Sequence, residues 1–190
     1  MIAPTLLVAL ILLAAAGLAG LVAVGIYNGL VARQKLVDNG WAQIDVQLKR
    51  RHDLIPNLVE TVKGYAAHEK GLLENVTRAR SRALDARTEG VGAQIQAETA
   101  LGGALRGFML QVEAYPQLRA NENFKALQEE LTSTENRISF ARQNYNDSAT
   151  VYNTEICLFP KNLIAGLFHF RPRELWQIAA AEREAPPVKF

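Results

Sequence analysis

The sequence predicts an all-α protein in which an N-terminal transmembrane helix precedes an antiparallel bundle of long, coiled-coil-like helices. Three observations predict this fold class. The first 32 residues carry no charged side chain. Apolar residues recur with heptad spacing along two long segments of the remaining chain, a pattern typical of packed helices. No alternation of apolar and polar residues, the pattern of a half-buried strand, extends over a useful length.

The N-terminal apolar run is long enough to cross a membrane. Thr5 to Tyr27 reads TLLVALILLAAAGLAGLVAVGIY, and a helix of this length spans about 35 Å, against about 30 Å for a bilayer core. A cleaved secretory signal is the alternative, because Ala14 and Ala16 form an Ala-x-Ala site. A signal peptide normally has Lys or Arg before its apolar run, and none is present here, so a retained anchor is favoured.

Basic residues follow this anchor, and none precedes it. Arg33 and Lys35 come first, and Lys49, Arg50 and Arg51 lie further along. Basic residues stay preferentially on the cytoplasmic side of a membrane. We therefore expect a single-pass protein with its N-terminus outside and its soluble part in the cytoplasm. The basic part can meet anionic lipid, but no segment is basic enough to indicate a nucleic-acid surface.

The first helix of the soluble part is predicted over residues 33–87. Its two heptad series are Trp41, Leu48, Ile55, Val62, Glu69, Val76 and Ala83, and Ile44, Arg51, Leu58, Tyr65, Leu72 and Ala79. Pro56 stands inside this pattern, where a proline kinks or ends a helix. Because the heptad phase runs through Pro56, we expect a kink that frees the carbonyl of His52. A break is the alternative, since Asp53 is an acceptable N-cap for a new helix.

Asn39-Gly40 is a second weak point of the same helix, because this dipeptide is common in turns. Leu30 and Val37 nevertheless extend one heptad series back towards the anchor. The sequence therefore leaves open whether one helix runs from the anchor into the soluble part.

Two further helices and an apolar segment complete the predicted order. The second helix is expected over about 91–114 and the third, which has the clearest heptad pattern, over about 122–156. An apolar segment, interrupted by Pro160, follows over 157–176. The predicted division is an anchor over residues 1–32, a helical domain over 33–176 and an extended tail over 177–190.

The sequence contains no recognisable catalytic or metal-binding motif. Its three histidines, His52, His68 and His169, lack the spacing of a helical metal pair, and Cys157 is the single cysteine. Nucleotide-binding loops and the nucleophile motif of hydrolases are also missing. We therefore expect no enzymatic activity and no cofactor.

Polar residues interrupt the heptad seam around Pro56. Arg51 and Glu69 occupy seam positions, and Arg50, Asp53, Pro56 and Asn57 lie nearby. The favoured interpretation is that they fix register and partner choice in a helical assembly, and a polar pocket for a ligand or another chain's tail is the alternative. Arg51 is too costly to bury alone, so we expect a carboxylate partner from another helix or chain. The most acidic candidate stretch holds Glu122, Glu129, Glu130 and Glu135.

The second candidate interaction site is the apolar strip ICLFPKNLIAGLFHF, residues 156–170. Its candidate contact residues are Phe159, Pro160, Leu167, Phe168 and Phe170. A soluble monomer rarely exposes such a strip. The flanking Lys161, Arg171, Arg173 and Trp176 suit a membrane interface. We expect burial against a neighbouring subunit or the bilayer surface, and the self-assembly interpretation favours the subunit.

Three stretches of the chain resemble the LemA family: QIDVQLKRRHDLIPNLVETVKGYAAHE with Trp41 before it, AYPQLRANENFKALQEELTSTENRISFARQNYNDSATVYNTEI, and FPKNLIAGLFHFRPRELWQ with the final APPVKF. The resemblance covers nearly all of residues 27–190. It implies a bacterial inner-membrane protein with a short N-terminal tail, one transmembrane helix, a helical domain and no established enzymatic activity. Magnetosome-associated relatives imply a link to membrane invagination. Neighbouring genes of relatives imply a membrane-bound metalloprotease or a TPM-domain protein as partner.

Two functions are compatible with these features. The first is a non-enzymatic scaffold that self-assembles as a homo-oligomer, contacts membrane lipid, and shapes or organises the membrane. The second is an accessory or adaptor subunit of a membrane-bound protease or signalling complex. The sustained heptads, the single anchor and the apolar C-terminal strip favour the scaffold.

Overall fold

The computed structural model describes residues 2–64 and 70–176, and the structural statements below concern these residues. They form six helices: α1 Ile2–Lys63, α2 Lys70–Ala86, α3 Val91–Val112, α4 Pro116–Ala120, α5 Glu122–Glu155 and α6 Lys161–Leu167. No strand occurs within the described ranges. The predicted all-α class is confirmed.

The chain divides into two compact units, and α1 and α5 contribute to both. The anchor unit contains α1 up to Gly40 together with Tyr145–Leu175. The bundle unit contains Trp41–Asn144 together with Trp176. Each unit has its own candidate interaction site.

Helix α1 is one continuous helix of 62 residues. Its N-terminal part is long and apolar enough to cross a membrane, and none of that apolar window is buried. Further along, Leu30 and Val37 are fully buried, as their heptad positions predict. The helix passes through Asn39-Gly40 without interruption, which resolves the question that the sequence left open.

Among the described glycines, Gly40 of α1 has the closest neighbour, and that neighbour is Tyr145 of α5. A Cβ added to Gly40 would lie 3.2 Å from the Cα of Tyr145. That distance is shorter than an ordinary van der Waals contact, so a side chain at this position would push the two backbones apart. The glycine is therefore explained by helix packing in the anchor unit and not by a turn.

Pro56 lies inside α1, and the helix continues on both sides of it. The expectation of an unbroken helix is confirmed. Proline has no N–H to donate to the carbonyl four residues earlier, which belongs to His52. Nε of Arg80, in α2, donates to this carbonyl oxygen at 2.9 Å. The acceptor that Pro56 leaves free is thus satisfied by a neighbouring helix.

The prediction of a single helix over residues 33–87 is wrong. Helix α1 ends at Lys63, Gly64 lies in a turn, and α2 begins at Lys70. The chain reverses direction, because Arg80 contacts His52 and Arg87 binds Asp45 at 2.9 Å. Apolar residues of both helices belong to one buried cluster, and this is why the heptad pattern continues although the helix does not.

The core of the bundle unit is formed by α1, α2, α3, α4 and α5. Its fully buried members include Leu58, Leu101, Phe108, Leu118 and Phe124. Helix α4 was not predicted, and it places the side chain of Leu118 in this core. Oδ1 of Asn121 then accepts a hydrogen bond from the backbone N–H of Phe124 at 3.0 Å and caps the first turn of α5.

The remaining boundaries lie close to the predicted ones. Helix α3 ends at Val112, two residues before the predicted end, and α5 ends at Glu155, one residue before it. The apolar C-terminal segment contains α6 and then continues without regular secondary structure to Trp176. The predicted tail over 177–190 lies outside the described residues.

Candidate interaction sites

Four ionisable side chains meet inside the bundle unit, and we call them the buried charge cluster: Arg51 and His52 of α1, Glu98 of α3 and Glu135 of α5. The side chains of Arg51, His52 and Glu98 are almost entirely buried. Glu135 is about half exposed, so the cluster reaches solvent on the α5 side.

Glu98 is the centre of the cluster, because both of its carboxylate oxygens accept hydrogen bonds. Nη2 of Arg51 donates to Oε2 of Glu98 at 2.5 Å and to its backbone oxygen at 3.1 Å. Nε2 of His52 lies 2.8 Å from Oε1 of Glu98. Nη1 of Arg51 donates to Oε2 of Glu135 at 2.8 Å. One guanidinium therefore links three helices.

The electrostatics of the cluster favour an ionised Glu98. Burial alone would raise the pKa of Glu98, because it removes the carboxylate from water. The hydrogen bond from His52 and the positive charge of Arg51 outweigh this effect and hold the pKa of Glu98 below its usual range. With Glu98 ionised, Nε2 of His52 carries the hydrogen and donates it. Among the described residues, Nε of Arg51 and Nδ1 of His52 are buried without a hydrogen-bond partner.

The expectation that a carboxylate compensates Arg51 is confirmed, and Glu135 comes from the predicted acidic stretch. Glu98 was missed. The signal was present in α3, where Gln94, Glu98, Leu101, Leu105, Phe108 and Val112 are all buried. Their spacing of alternately four and three residues is that of a heptad seam, and it places Glu98 on the buried face.

The other polar residues predicted on the seam do not join the cluster. Arg50 forms an ion pair with Glu130 of α5 near the surface. Asp53, Pro56 and Asn57 are exposed. Glu69 lies outside the described residues. The cluster is therefore a narrow contact between Arg51, His52, Glu98 and Glu135, and not a pocket lined by all of the predicted residues.

Two of the surface depressions in the bundle unit are candidate contact surfaces. The first is a groove of about 410 Å³ between α3 and α5, which we call the α3–α5 groove. Four apolar side chains, Leu105, Met109, Leu110 and Leu131, line it together with polar and charged ones, including Arg51, Arg106 and Glu135. The second is a cleft of about 400 Å³ next to Val46 and Phe140, lined also by Gln43, Gln47, Arg137, Ala141 and Asn144. We call it the Phe140 cleft, and Phe140 itself is 72% exposed.

The anchor unit holds the second candidate site. Helix α5 runs antiparallel to α1, because Tyr145 lies beside Gly40 and Glu155 pairs with Arg33 at 3.0 Å. The chain then passes through α6 and returns to α1 at Tyr27. The Tyr27 ring centroid lies 4.7 Å from that of Phe168 and 5.7 Å from that of Phe170.

Hydrogen bonds hold the segment that follows α6 against α1 and α5. The hydroxyl of Tyr152 donates to the backbone oxygen of Arg171 at 3.0 Å, and the hydroxyl of Tyr145 donates to that of Glu174 at 2.6 Å. Nη2 of Arg173 donates to Oδ1 of Asp38 at 2.9 Å. These contacts fix the position of the segment between α6 and Leu175 within the anchor unit.

Large apolar side chains of residues 158–168 are mostly exposed. We call the five exposed ones the apolar apex: Leu158, Phe159, Leu163, Leu167 and Phe168. Phe159 is 79% exposed and Leu167 is 69% exposed. Pro160 is also exposed, whereas Phe170 is half-buried. The anchor unit therefore leaves most large apolar side chains of the predicted strip exposed, although it buries Ile156 and Ala165. Burial against a neighbouring subunit or the bilayer stays a prediction.

A pair of charges stabilises the start of α6. Nζ of Lys161 donates to Oε2 of Glu155 at 2.9 Å. This hydrogen bond, together with the charges of Lys161 and Arg33, outweighs partial burial and lowers the pKa of Glu155. Within residues 2–64 and 70–176, no group of three or more His, Cys, Asp or Glu side chains is arranged to hold a metal ion.

Comparison with known proteins identifies similar chains. The model of a family described as the LemA family matches residues 40–190. Magnetosome proteins MamQ 1 and MamQ 2 of Paramagnetospirillum magneticum (strain AMB-1) are each 26% identical over 175 residues, which cover 80% of this chain and 64% of the relative. Protein LemA of Metamycoplasma hominis is 28% identical over 163 residues, which cover 84% of this chain and 73% of the relative. The chain thus spans less than two thirds of the length of the MamQ relatives.

Proposed function

Because this chain belongs to the LemA family, we propose that it is a non-enzymatic, membrane-anchored helical scaffold that self-assembles at the bilayer and shapes or organises the membrane. The two relatives named as magnetosome proteins, together with the link to membrane invagination implied by the family resemblance, support a role at a membrane surface. The soluble part faces the cytoplasm in this proposal, because Arg33 and Lys35 follow the apolar span and no basic residue precedes it.

The observation that carries the proposal is the exposure of large apolar side chains outside the membrane span. In the bundle unit, Val46 of α1 and Phe140 of α5 are 63% and 72% exposed, and both line the Phe140 cleft. Polar side chains, including Gln43 and Arg137, surround them. An apolar centre with a polar rim is the usual composition of a protein–protein contact.

The buried charge cluster has a different role in this proposal. Its charges are compensated within the chain, because Arg51 binds Glu98 and Glu135. It therefore fixes the register of α1 against α3 and α5, and a second copy of the chain uses the Phe140 cleft. A contact that includes the same patch on both copies gives a closed dimer with twofold symmetry.

The test is the mass of the full-length protein in detergent, measured by light scattering with the detergent contribution subtracted. The chain mass is 20.9 kDa, and we expect a multiple of it. Phe140→Asp should reduce the mass to that of one chain while the helical circular dichroism signal is retained. The matched control is Ser139→Asp, an exposed position next to it on α5, which should leave the mass unchanged. A wild-type protein of single-chain mass at all concentrations would contradict self-assembly.

The α3–α5 groove supports a second candidate function, that of an accessory or adaptor subunit for a membrane-bound protease or signalling complex. Leu105, Met109 and Leu110 form an apolar wall on α3. Such a groove suits an amphipathic helix of a partner, and a methionine can adapt to different side chains. Leu110 is 69% exposed. Leu110→Asp should release a co-purifying membrane protein and leave the mass of the scaffold itself unchanged.

A further inference from the structure

The side-chain exposure of α1 shows where its lipid-facing part ends. Every large apolar side chain from Leu6 to Val24 is more than half exposed, whereas Leu30 is fully buried. Residues 4–24 form about 31 Å of helix, which matches the roughly 30 Å of a bilayer core. One face of the hydrocarbon layer therefore lies close to Val24, and Tyr27 follows about 4.5 Å further along the helix.

The apolar apex lies at this same level of the anchor unit. Phe168 and Phe170 are in contact with Tyr27, and α5 already ends beside Arg33, about two turns further from the hydrocarbon. Residues 157–167 connect these two points. They are consequently a part of the anchor unit that lies next to the headgroup region when α1 spans the membrane.

The chemistry of the apex suits the headgroup region. Phe159, Leu163 and Leu167 expose apolar surface. Arg171 is an exposed basic residue next to them, while Lys161 pairs with Glu155. Aromatic and aliphatic side chains enter the boundary between headgroups and acyl chains, and long basic side chains extend outward to the phosphates. Tyr27 adds an aromatic ring of the type that is enriched at this depth.

We propose that residues 157–170 insert into the headgroup–acyl boundary of the membrane that α1 crosses and form a second lipid contact beside the span. The occupant of the apolar apex is thus a lipid surface and not a second copy of the chain, because the contact with Tyr27 holds the apex where lipid surrounds α1. This inference rests on the membrane anchoring in the proposed function, but not on self-assembly.

Such an insertion would act on one leaflet only. The apex adds side-chain volume at the headgroup level on the side of the soluble domain. Volume added to one leaflet expands that leaflet, so the membrane bends with this leaflet on its convex face. The lipid contact is thereby a physical mechanism for the membrane shaping in the proposed function.

Cys157 provides a direct probe, because it is the single cysteine of the chain and is exposed beside the apex. The full-length protein, labelled there with the fluorophore NBD, is reconstituted into vesicles of phosphatidylcholine and phosphatidylglycerol with nitroxide-labelled lipid. We expect blue-shifted emission and strong quenching by nitroxides near the headgroups. The control places the label at the exposed position 96 of α3 by Gln96→Cys in a Cys157→Ser chain, where emission should stay water-like and unquenched.

Two results from the label at position 157 would overturn the proposal. Water-like emission from position 157 would mean that the apex is not in the membrane. Blue-shifted emission without quenching would mean that protein covers it.

As a second measurement, Leu163→Glu with Leu167→Glu should abolish the shift and the quenching, while the protein still floats with the vesicles through α1. Thr150→Glu, at an exposed polar position of α5 outside residues 157–170, should change neither signal. Quenching that persists in the double variant also contradicts the proposal. The detergent mass tests self-assembly separately, so the two ideas can fail independently.

Discussion

Replacing Glu98 by glutamine should destabilise the bundle unit by about 3 kcal/mol, because it leaves the guanidinium of Arg51 buried without its closest counter-charge. The two side chains are nearly the same size, so no cavity contributes to the loss. Breaking a buried ion pair on one side costs about 3–5 kcal/mol. The lower end applies here, since Glu135 is about half exposed and still accepts a hydrogen bond from Nη1 of Arg51.

The assay is denaturant unfolding of the full-length protein in detergent, followed by circular dichroism. The control is Arg82→Gln, which removes an ion pair with Glu89 at the surface and should leave the midpoint nearly unchanged. A double variant, Glu98→Gln with Arg51→Met, should lose less stability than the sum of the two single variants, because no buried charge is left uncompensated. Equal midpoints for Glu98→Gln and the control would refute the reasoning, since they would show that the cluster contributes no more than an exposed pair.

Three further predictions follow from the structure. The pKa of Glu98 is lowered in the folded protein. The stability that ionised Glu98 contributes is therefore fully present above the ordinary glutamate pKa and is lost as the pH falls through the pKa of Glu98 in the folded state. The difference in unfolding free energy between wild type and Glu98→Gln should close in acid. Gly40→Ala should destabilise the anchor unit by about 1 kcal/mol, because overpacking against the α5 backbone outweighs the gain in helix propensity. Gly103→Ala adds a methyl group that meets nothing within 4 Å and should stabilise the protein by about 0.5–1 kcal/mol. Thermal unfolding of both variants distinguishes these effects. Arg80→Gln should cost about 1 kcal/mol in denaturant unfolding, and the cost should disappear in a Pro56→Ala chain, whose restored N–H satisfies the same carbonyl; an unchanged cost would contradict the proposed hydrogen bond.

The sequence predicted α3 and α5 well, because their signals are local. The boundaries of α3 and α5 follow from apolar periodicity, and the side chain of Asn121 caps α5. The sequence did not predict that the chain reverses direction after Lys63. Two helices that face one core carry apolar residues in the same phase, so the heptad series continues from Val62 to Val76 whether or not the chain turns.

The candidate sites were predicted in part, for a related reason. The position of Arg51 on the seam required a counter-charge, and Glu135 supplies one. The choice of Glu98 depends on which face of α3 packs against α1, and that is a property of the tertiary structure. The position of the apolar apex at the level of Tyr27 likewise depends on the antiparallel return of α5, which periodicity alone does not give.

The contacts of Arg51 and His52 have a consequence for how the bundle unit opens. The backbone of His52 binds α2, its imidazole binds α3, and the adjacent guanidinium binds α3 and α5. A single turn of α1 therefore has a polar contact with each of the other long helices of the unit. None of them can separate from α1 without exposing a buried polar group. Amide hydrogen exchange in the bundle unit should accordingly be cooperative, with the four helices losing protection together as one foldon.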